Sequence, residues 1–451
     1  MKKIAIIGAG STMFTRQILS SLYCYRELAE LQVTLEDLDQ AALSRTLALA
    51  HKMLTQEGLP TKLITATTNQ KEALTGADCV INCIQVGGLA PWKLDIEIPR
   101  KYNVDQEVGD TLGPGGIFRA LRQIPPMLSI LDDMERLCPD ALFINYANPL
   151  APLTWAATQY SDITSIGLCY GVTYTVAQLA GYLGFGPWVE HPHTPEAWDQ
   201  LMYSPIPDNI DVLFGGINHM TWILQMLVDG VDRTDEIAGI LAKPKVLAAD
   251  GVRCEILRHF GYWSTENHWH CSDYVPYFRK NAAMIERFVP HRWNLLQLEE
   301  QIHRRDTEII DRQLRGEQSI RVEKTVLNAP KIIHAMCTGQ TAKINGNIRN
   351  NGLISNLPPE CIVEVPIFVD RSGLHPTRVG TLPPQCAALN RSMISVQELI
   401  VEAALNYRKE AAFHAICLDP LTAAVCTLDE IAKMFDELWQ AQQPWLQPYW
   451  G

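Results

Sequence analysis

The sequence has little positive charge and no long hydrophobic run, and both absences limit what the protein can bind. It contains 38 Lys and Arg against 50 Asp and Glu, and the formal net charge of −12 argues against nucleic acid or an anionic membrane as a partner. No apolar stretch approaches the length of a membrane span. The first apolar stretch soon reaches Gly8, so it predicts a strand and not a signal peptide.

Paired cysteine motifs are also absent. The chain has 12 cysteines, but no two of them form a Cys-x-x-Cys pair, which argues against a zinc ribbon or a thioredoxin-like redox site. Because no secretion signal is recognisable, we expect reduced thiols and a cytoplasmic location. Most of these cysteines are expected to be small buried side chains.

The order of the predicted elements indicates an α/β fold. Short apolar runs alternate with amphipathic stretches over residues 1–190, which predicts a Rossmann-like, doubly wound parallel sheet that binds a dinucleotide. Residues 191–451 mix helices with short strands and predict an α+β domain that closes over the active site and carries the oligomer contacts. The predicted strands of the first part are 2–7, 32–38, 63–67, 79–86, 142–145 and 165–168.

A glycine-rich turn follows the first predicted strand and precedes a predicted helix. Gly8 allows the tight turn, and Gly10, followed by Ser11, lets a pyrophosphate approach the backbone at the helix N-terminus. The third glycine of the usual fingerprint is replaced by Met13, so the motif alone is weak evidence. The alternative is a purely structural turn between a strand and a helix.

The second predicted strand ends in acidic residues. An acid at this distance from the glycine turn binds the ribose hydroxyls of NAD and disfavours NADP. Asp37 is the preferred candidate, with Glu36 and Asp39 as near alternatives. Together with the glycine turn, this acid predicts NAD as the cofactor.

A cysteine and a histidine stand where a metal site is expected. Cys169 ends a predicted strand, and His219 follows 50 residues later. A thiolate and an imidazole can hold a divalent transition metal while leaving positions open for substrate hydroxyls. Taken alone, the pattern favours the simpler interpretation of a buried cysteine and a core histidine.

Polar side chains around these two residues favour the metal-site interpretation. Asp110 lies in the glycine-rich loop 109–116, Arg119 follows that loop, and Asn145 and Asn148 end another predicted strand. Carboxylates and amides in fixed loops suit vicinal diols, because each can bond two hydroxyls. The alternatives are a turn at Asn148 and a helix or turn cap at Asp110.

These segments, taken together, resemble glycoside hydrolase family 4, the NAD- and metal-dependent glycosidases. The resemblance runs in order along nearly the whole chain and is closest to the α-galactosidase and α-glucosidase branch. The matching segments are 8–11, 109–116 with Arg119, 145–149, 167–169, 216–219, 351–358 and 363–365, and for the branch 261–276 and 346–349.

The resemblance implies a glycosidase that works through transient oxidation, which is a known exception to the scheme with two carboxylates. NAD⁺ would accept hydride from C3 of the sugar, so that the C2 proton becomes acidic. A Mn²⁺ or similar ion on Cys169 and His219 would polarise the C2 and C3 oxygens. A base removes the C2 proton, the C1 substituent leaves, water adds, and the steps reverse.

The resemblance also implies roles for individual residues. The family base is a Tyr or Asp in the region that matches 266–274, where Tyr274 is the first candidate and Asp273 the second. Gly8, Gly10, Ser11, Asp37 and Asn145 would bind the cofactor, and Asp110, Asn148 and Arg119 the substrate. A homodimer or homotetramer is expected.

One residue departs from the family pattern. After the metal-binding cysteine the neutral α-glycosidases have His and the 6-phosphoglycosidases have Asp or Asn, whereas this chain has Tyr170. The absence of Asp or Asn argues against a 6-phosphorylated substrate. Tyr170 is either a catalytic acid or a residue that shapes the pocket, and the pKa of about 10 of a free tyrosine favours the second role.

Three other functions are compatible with parts of this pattern. An α-uronidase of the same family would need a cation near C6, and Arg119, Arg279 or Lys280 could supply it. An NAD-dependent sugar or polyol dehydrogenase would share the nucleotide site but would not need Cys169 with His219. A catalytically dead NAD-binding scaffold is disfavoured because the polar site residues are retained.

Overall fold

The strands of the protein join into one large sheet. The structure is a computed structural model, and it describes residues 1–11, 14–291 and 293–450, so Met13 of the nucleotide turn lies outside the described residues. The strands are β1 (Lys3–Ile7), β2 (Gln32–Glu36), β3 (Ile64–Thr67), β4 (Cys79–Asn82), β5 (Leu142–Asn145), β6 (Ser165–Gly167), β7 (Ile210–Ile217), β8 (Met220–Val228), β9 (Val231–Asp232), β10 (Trp263–Ser264), β11 (Ala342–Arg349), β12 (Ile362–Asp370) and β13 (Gly373–Pro376).

The topology of this sheet confirms the predicted α/β class. Parallel strands lie in the order β3-β2-β1-β4-β5-β6, which is the order of a dinucleotide-binding sheet. Antiparallel strands β11, β12, β7, β8 and β10 continue the sheet beyond β6. The remaining strands are peripheral, since β13 pairs with β12 and β9 with β8.

Helices alternate with the parallel strands and then dominate the C-terminal third of the chain. Every residue of β4, β5 and β6 is buried, as expected for parallel strands covered on both faces. The helices are α1 (Phe14–Tyr23), α2 (Gln40–Gln56), α3 (Gln70–Leu74), α4 (Leu89–Lys101), α5 (Gly113–Leu137), α6 (Leu150–Tyr160), α7 (Gly171–Leu183), α8 (Pro195–Met202), α9 (Pro244–Ala249), α10 (Gly251–Phe260), α11 (His268–Tyr274), α12 (Ala282–Phe288), α13 (Leu295–Arg315), α14 (Ala329–Thr338), α15 (Pro384–Asn406), α16 (Lys409–Leu418), α17 (Pro420–Val425), α18 (Leu428–Ala441) and α19 (Gln443–Trp450).

Local sequence signals set several helix ends. Asp39 caps α2 by accepting hydrogen bonds from the first backbone amides of that helix. Gly184 ends α7 in the left-handed conformation, at φ 94°. Thr427 and Glu430 form a capping box at the start of α18.

The two predicted domains share this sheet. β11 pairs with β6, where Asn347 lies opposite Gly167, so strands from residues 191–451 extend the N-terminal sheet directly. The predicted boundary near residue 190 stays a prediction. None of the described helices has the combination of length and apolar character that crossing a bilayer requires.

The cysteines behave as small core side chains. All 12 are free thiols, six of them buried and the other six half-buried. Half of the thiols are therefore buried, which is fewer than the majority that was expected. Cys169 is the one that the sequence assigns to a metal.

A buried ion pair fixes α5, which begins at Gly113, within the segment 109–116 that the sequence predicted to be a loop. Arg122 donates to the Asp95 carboxylate of α4 and, at 2.8 Å, to the side-chain oxygen of Gln442. Arg122 and Asp95 are almost completely buried. The loop that carries Asp110 therefore depends on a charge pair in the interior.

We expect Arg122→Ala to lower the free energy of unfolding by about 3–5 kcal/mol, because it leaves the Asp95 carboxylate buried without its partner. The double variant Asp95→Leu/Arg122→Met should lose less, since it removes both charges. Urea unfolding of the three proteins measures the difference. An Arg122→Ala protein as stable as the double variant would contradict this role of the pair.

Candidate active site

The nucleotide turn is shaped by a close approach of two strand ends. Gly8 has φ 79°, and its amide donates to the Glu36 carbonyl at 3.0 Å. A Cβ atom at Gly8 would lie 2.8 Å from backbone atoms of Cys83 and Ile84. Only glycine can adopt this positive φ and also avoid a collision with that backbone, so the turn predicted at Gly8 is confirmed.

Of the three acids at the end of β2, Asp37 is the one whose side chain contacts the glycine turn. Its carboxylate accepts from the Gly10 amide at 2.7 Å. Asp39 instead caps α2, and Glu36 is buried, which raises its pKa to about 7 with a further contribution from Asp37. The geometry therefore supports Asp37 as the ribose-binding acid.

Ser11 and Asn145 act through bonds within the protein. The Ser11 hydroxyl accepts from the Phe14 amide at 3.3 Å, at the start of α1. Asn145 is fully buried, donates to the Ala147 carbonyl at 3.0 Å and accepts from the Asn82 amide at 2.9 Å. Both side chains lie at the carboxyl edge of the sheet, and that of Asn145 is already hydrogen-bonded to neighbouring strand ends. Their predicted roles in cofactor binding stay predictions.

The nucleotide turn and the metal residues share one edge of the sheet. The last residues of β1, β4, β5 and β6 are in register, with Ile7 beside Asn82, Asn82 beside Asn145 and Asn145 beside Gly167. Cys169 follows two residues after β6. In open parallel sheets, ligands bind at this carboxyl edge.

Cys169 and His219 meet although 50 residues separate them. The Cys169 sulfur, an imidazole nitrogen of His219 and a carboxylate oxygen of Glu266 all lie within 4.8 Å of one another. His219 and Glu266 are each 3% exposed, and Cys169 is half-buried. Glu266 was not among the predicted site residues, because no motif surrounds it.

The chemistry of these donors fits a divalent cation. Burial lowers the pKa of His219 to about 4, so that its imidazole is neutral and able to bind a metal at pH 7. Burial, with the nearby Glu266 and Glu364 carboxylates, raises the pKa of the Cys169 thiol well above its usual range. Burial, Asp110 and Glu364 raise the pKa of Glu266 to about 8. A cation would favour the charged forms of both acids.

Tyr274 lies beside the predicted metal site, whereas Asp273 is held elsewhere. The Tyr274 hydroxyl is 3.0 Å from Nδ1 of His219. Asp273 forms an ion pair with Arg279 at 2.8 Å and accepts from the backbone amides of Glu107 and Val108. The structure thus gives the two candidate bases different surroundings, and it favours Tyr274.

The three predicted substrate residues form one connected group. Asp110 accepts from the Asn148 amide at 2.9 Å and from the Thr111 hydroxyl at 2.7 Å. Arg119 donates from Nε to the Asn148 carbonyl at 3.2 Å, while its buried Nη1 has no hydrogen-bond partner among the described residues. A carboxylate, an amide and an incompletely bonded guanidinium therefore converge, as a hydroxyl-rich ligand requires.

Tyr170 is half-buried next to Cys169, at the start of α7. Its ring lies edge-on to that of Trp198, with 5.6 Å between the centroids. Burial, followed by the Glu266 carboxylate, raises the pKa of Tyr170 well above its usual range. This direction is unfavourable for a neutral-pH acid and agrees with a role in shaping the pocket.

Two further residues of this region, Trp198 and Glu299, were not predicted from the sequence. Trp198 belongs to α8, a short helix within a Pro- and Trp-rich stretch. Glu299 lies on α13, where burial and the nearby Asp110 raise its pKa to about 8. Neither residue has a local motif, and only tertiary packing reveals them.

Two sequence families and several known proteins match this chain. "Family 4 glycosyl hydrolase" matches residues 3–185, and "Family 4 glycosyl hydrolase C-terminal domain" matches residues 214–422. An alpha-galactosidase of Bacillus subtilis (strain 168) is 37% identical, with 100% of both chains covered. The chain belongs to glycosyl hydrolase family 4. The resemblance seen in the sequence is confirmed, and the protein is a glycoside hydrolase.

Other members of the family agree with this assignment. An alpha-galactosidase of Rhizobium meliloti (strain 1021) is 35% identical over 99% of this chain and 89% of that protein. A crystal structure of a 6-phospho-alpha-glucosidase from gut microorganisms, in complex with NAD and Mn²⁺, superposes with a TM-score of 0.79 at 18% identity, covering 98% of each chain. This neighbour shares the fold of the family 4 enzyme described here.

Gly8→Ala should weaken NAD binding at least tenfold, or about 1.4 kcal/mol, because a methyl group would collide with the backbone of Cys83 and Ile84, just after β4. Calorimetric titration with NAD⁺ measures the affinity. Gly58→Ala is the matched control, since Gly58 also has a positive φ of 70° but open space around it. Equal NAD affinity in both variants would show that the close approach of Gly8 to Cys83 and Ile84 does not matter for NAD binding.

Proposed function

We propose that this family 4 enzyme hydrolyses α-galactosides or α-glucosides that are not phosphorylated at C6, and that it uses NAD and a divalent cation such as Mn²⁺. The observation that carries the proposal is the meeting of Cys169, His219 and Tyr274 at the sheet edge that also holds the glycine turn. The two alpha-galactosidase relatives support the choice of sugar.

Cys169 and His219 would hold the cation, and Gly8, Gly10 and Asp37 the nucleotide. When bound, NAD supplies a hydride acceptor for C3 and the cation a Lewis acid for the neighbouring oxygens. The protein side chains position the sugar and move its proton.

Tyr274 is the proposed acceptor of the C2 proton. Its hydroxyl lies 3.0 Å from Nδ1 of His219, so the phenol stands beside the imidazole that would hold the cation. Both oxygens of Asp273 are engaged by Arg279 and backbone amides. Replacing Tyr274 therefore removes the base, whereas replacing Asp273 removes a structural contact.

Asp110, Asn148 and Arg119 are proposed to bind sugar hydroxyls. Asp110 and Asn148 already bond to each other at 2.9 Å, which holds both groups in place before substrate arrives. The free Nη1 group of Arg119 supplies a donor. A C6 carboxylate would find no help from Arg279, which is fully buried and paired with Asp273.

A panel of nitrophenyl α- and β-glycosides, incubated with NAD⁺ and Mn²⁺ in D₂O, tests the proposal. We expect cleavage of the α-galactoside or α-glucoside, no accumulation of NADH absorbance, and deuterium at C2 of the released sugar. Cleavage without C2 deuterium would instead indicate hydrolysis by paired carboxylates. Accumulating NADH without cleavage would indicate a dehydrogenase.

Tyr274→Phe should suppress both cleavage and C2 exchange by at least about a hundredfold, which is the lower range for loss of a general base. Asp273→Asn is the matched control: it is expected to lose stability through the broken pair with Arg279 but to keep exchange per folded molecule. Mass spectrometry of the product and circular dichroism separate the two effects. Exchange that persists in Tyr274→Phe would contradict the assignment.

Tyr170 is proposed to shape the pocket, so Tyr170→Phe should change turnover of nitrophenyl glycosides by less than about threefold, since a good leaving group needs little protonation. Tyr170→His should speed cleavage of poorly activated galactosides or glucosides, because an imidazolium can protonate the leaving oxygen. Steady-state rates on both substrate classes measure this. If Tyr170→Phe abolishes cleavage while NAD and metal still bind, the hydroxyl is catalytic.

The location and assembly of the enzyme are part of this proposal. A thiol that binds metal has to stay reduced, which fits the cytoplasm. The expected homodimer or homotetramer is checked by sedimentation equilibrium. A monomer at micromolar concentration would contradict it.

A further inference from the structure

The carboxylate of Glu266 differs from other buried carboxylates of this protein because of what surrounds it. It lies 3.5 Å from Nε2 of His219 and 3.6 Å from Nε2 of His270, and both distances exceed the usual N–H···O range. Four other buried carboxylates have close donors: Asp95 has Arg122, Asp250 has Arg253, Asp273 has Arg279, and Glu364 has Thr221. A buried carboxylate without such donors calls for a cation.

The backbone holds Glu266 in this position. Its carbonyl accepts from Arg253 at 2.6 Å and from the Thr175 hydroxyl at 3.0 Å. Thr265 and Thr221 exchange two further hydrogen bonds, from each backbone amide to the other residue. Because Thr221 stands two residues after His219, these bonds fix Glu266 relative to the imidazole.

The Cys169 side of the site is shaped to accept the same carboxylate. A Cβ atom at Gly171 would lie 3.1 Å from Cγ of Glu266 and 3.4 Å from the Cys169 sulfur. The absence of a side chain at Gly171 thus leaves room for the sulfur and the carboxylate to face each other. Three elements that are distant in sequence converge on one small volume.

We propose that Glu266 is a third protein ligand of the divalent cation and completes the set with Cys169 and His219. The inference rests on the proposed metal dependence and specifies it further. One thiolate and one carboxylate balance the two positive charges of the ion, and the imidazole adds no charge. The carboxylate oxygen also suits Mn²⁺ better than thiolate and imidazole alone, while positions for substrate oxygens stay open.

A second buried cluster, formed by His191, Asp250 and His268, serves as a contrast. There both oxygens of Asp250 accept from Nε of Arg253 at 2.9 Å. A guanidinium already supplies the positive charge, so this cluster has no need of a metal. Glu266 receives only a backbone contact from the same arginine, and its carboxylate stays available.

Direct measurement of metal affinity tests the proposal without using activity. The electron paramagnetic resonance signal of free Mn²⁺ is followed as the wild-type protein, Glu266→Gln, Glu266→Asp and Cys169→Ser are titrated. We expect Glu266→Gln to weaken binding at least about tenfold, as loss of a ligand does. Glu266→Asp should fall between the wild type and Glu266→Gln, because it keeps the carboxylate on a shorter side chain.

Glu299→Gln is the matched control. Glu299 is a half-buried carboxyl near Asp110, but it lies outside the metal cluster. Removing it changes the charge of the pocket without removing a ligand, so Mn²⁺ affinity should change by less than about threefold. A similar loss in Glu299→Gln and Glu266→Gln would mean that general electrostatics, and not ligation, explains the effect.

Thermal unfolding separates ligation from a structural role. Metal-free Glu266→Gln should unfold at the same or a higher temperature than the wild type, because an uncompensated buried carboxylate has been removed. It should also gain less stability when Mn²⁺ is added, since binding to the folded state is weaker. A lower melting temperature without metal, together with an unchanged gain from Mn²⁺, would overturn the proposal.

The outcomes also distinguish this inference from the proposed function. If the wild type and Cys169→Ser bind Mn²⁺ equally, the metal site itself is wrong and both proposals fail. If Cys169→Ser loses binding but Glu266→Gln stays within threefold of the wild type, only the role of Glu266 fails.

Discussion

The active site depends on a buried carboxylate beneath it, that of Glu364 on β12. This carboxylate accepts hydrogen bonds from the Thr221 hydroxyl at 2.8 Å and from the amides of Asn345 and Asn347 at 3.1 and 3.3 Å. Asn345 also donates to the carbonyl of Cys169, and Thr221 follows His219 by two residues. One side chain thereby ties together the segments that carry the two predicted metal ligands. These shared hydrogen bonds favour one arrangement of the segments, and among the described residues only Oδ1 of Asn347 in this group lacks a partner.

Most side chains of the site above this network are buried, and burial determines their electrostatics. Without a neighbouring cation, burial keeps the thiol of Cys169 and the phenol of Tyr274 protonated and the imidazole of His219 neutral. Each pKa is shifted in the direction that favours the uncharged form of the group, as expected where solvent cannot stabilise charge. A doubly charged ion placed here would act through a low dielectric, so its effect on nearby oxygens would be large. A bound divalent cation would therefore stabilise the charged forms of the acidic groups in this site.

The features of the site that could be predicted from the sequence are those whose residues lie close together in the chain. The glycine turn at Gly8 and the acid at Asp37 lie within one strand-helix-strand unit, and the structure places both as expected. Tyr274 and Asp273 are adjacent, so no sequence pattern could separate them. In the structure their side chains have different partners, His219 for Tyr274 and Arg279 for Asp273. Glu266 was missed because its partners, Cys169 and His219, come from two segments that are distant in the sequence. The strand expected over 79–86 ends at Asn82, where the chain turns toward Gly87 and Gly88 at positive φ.

The continuity of the sheet has a consequence for how the site forms. Cys169 comes from the parallel strands, whereas His219, Glu266 and Tyr274 come from the part of the chain that adds antiparallel strands to the same sheet. The pairing of β11 with β6 sets the register between the two parts, through Asn347 opposite Gly167. A change in that register would move the ligand residues of one part relative to those of the other. The proposed metal site draws on both parts, because Cys169 comes from one and His219 and Glu266 from the other.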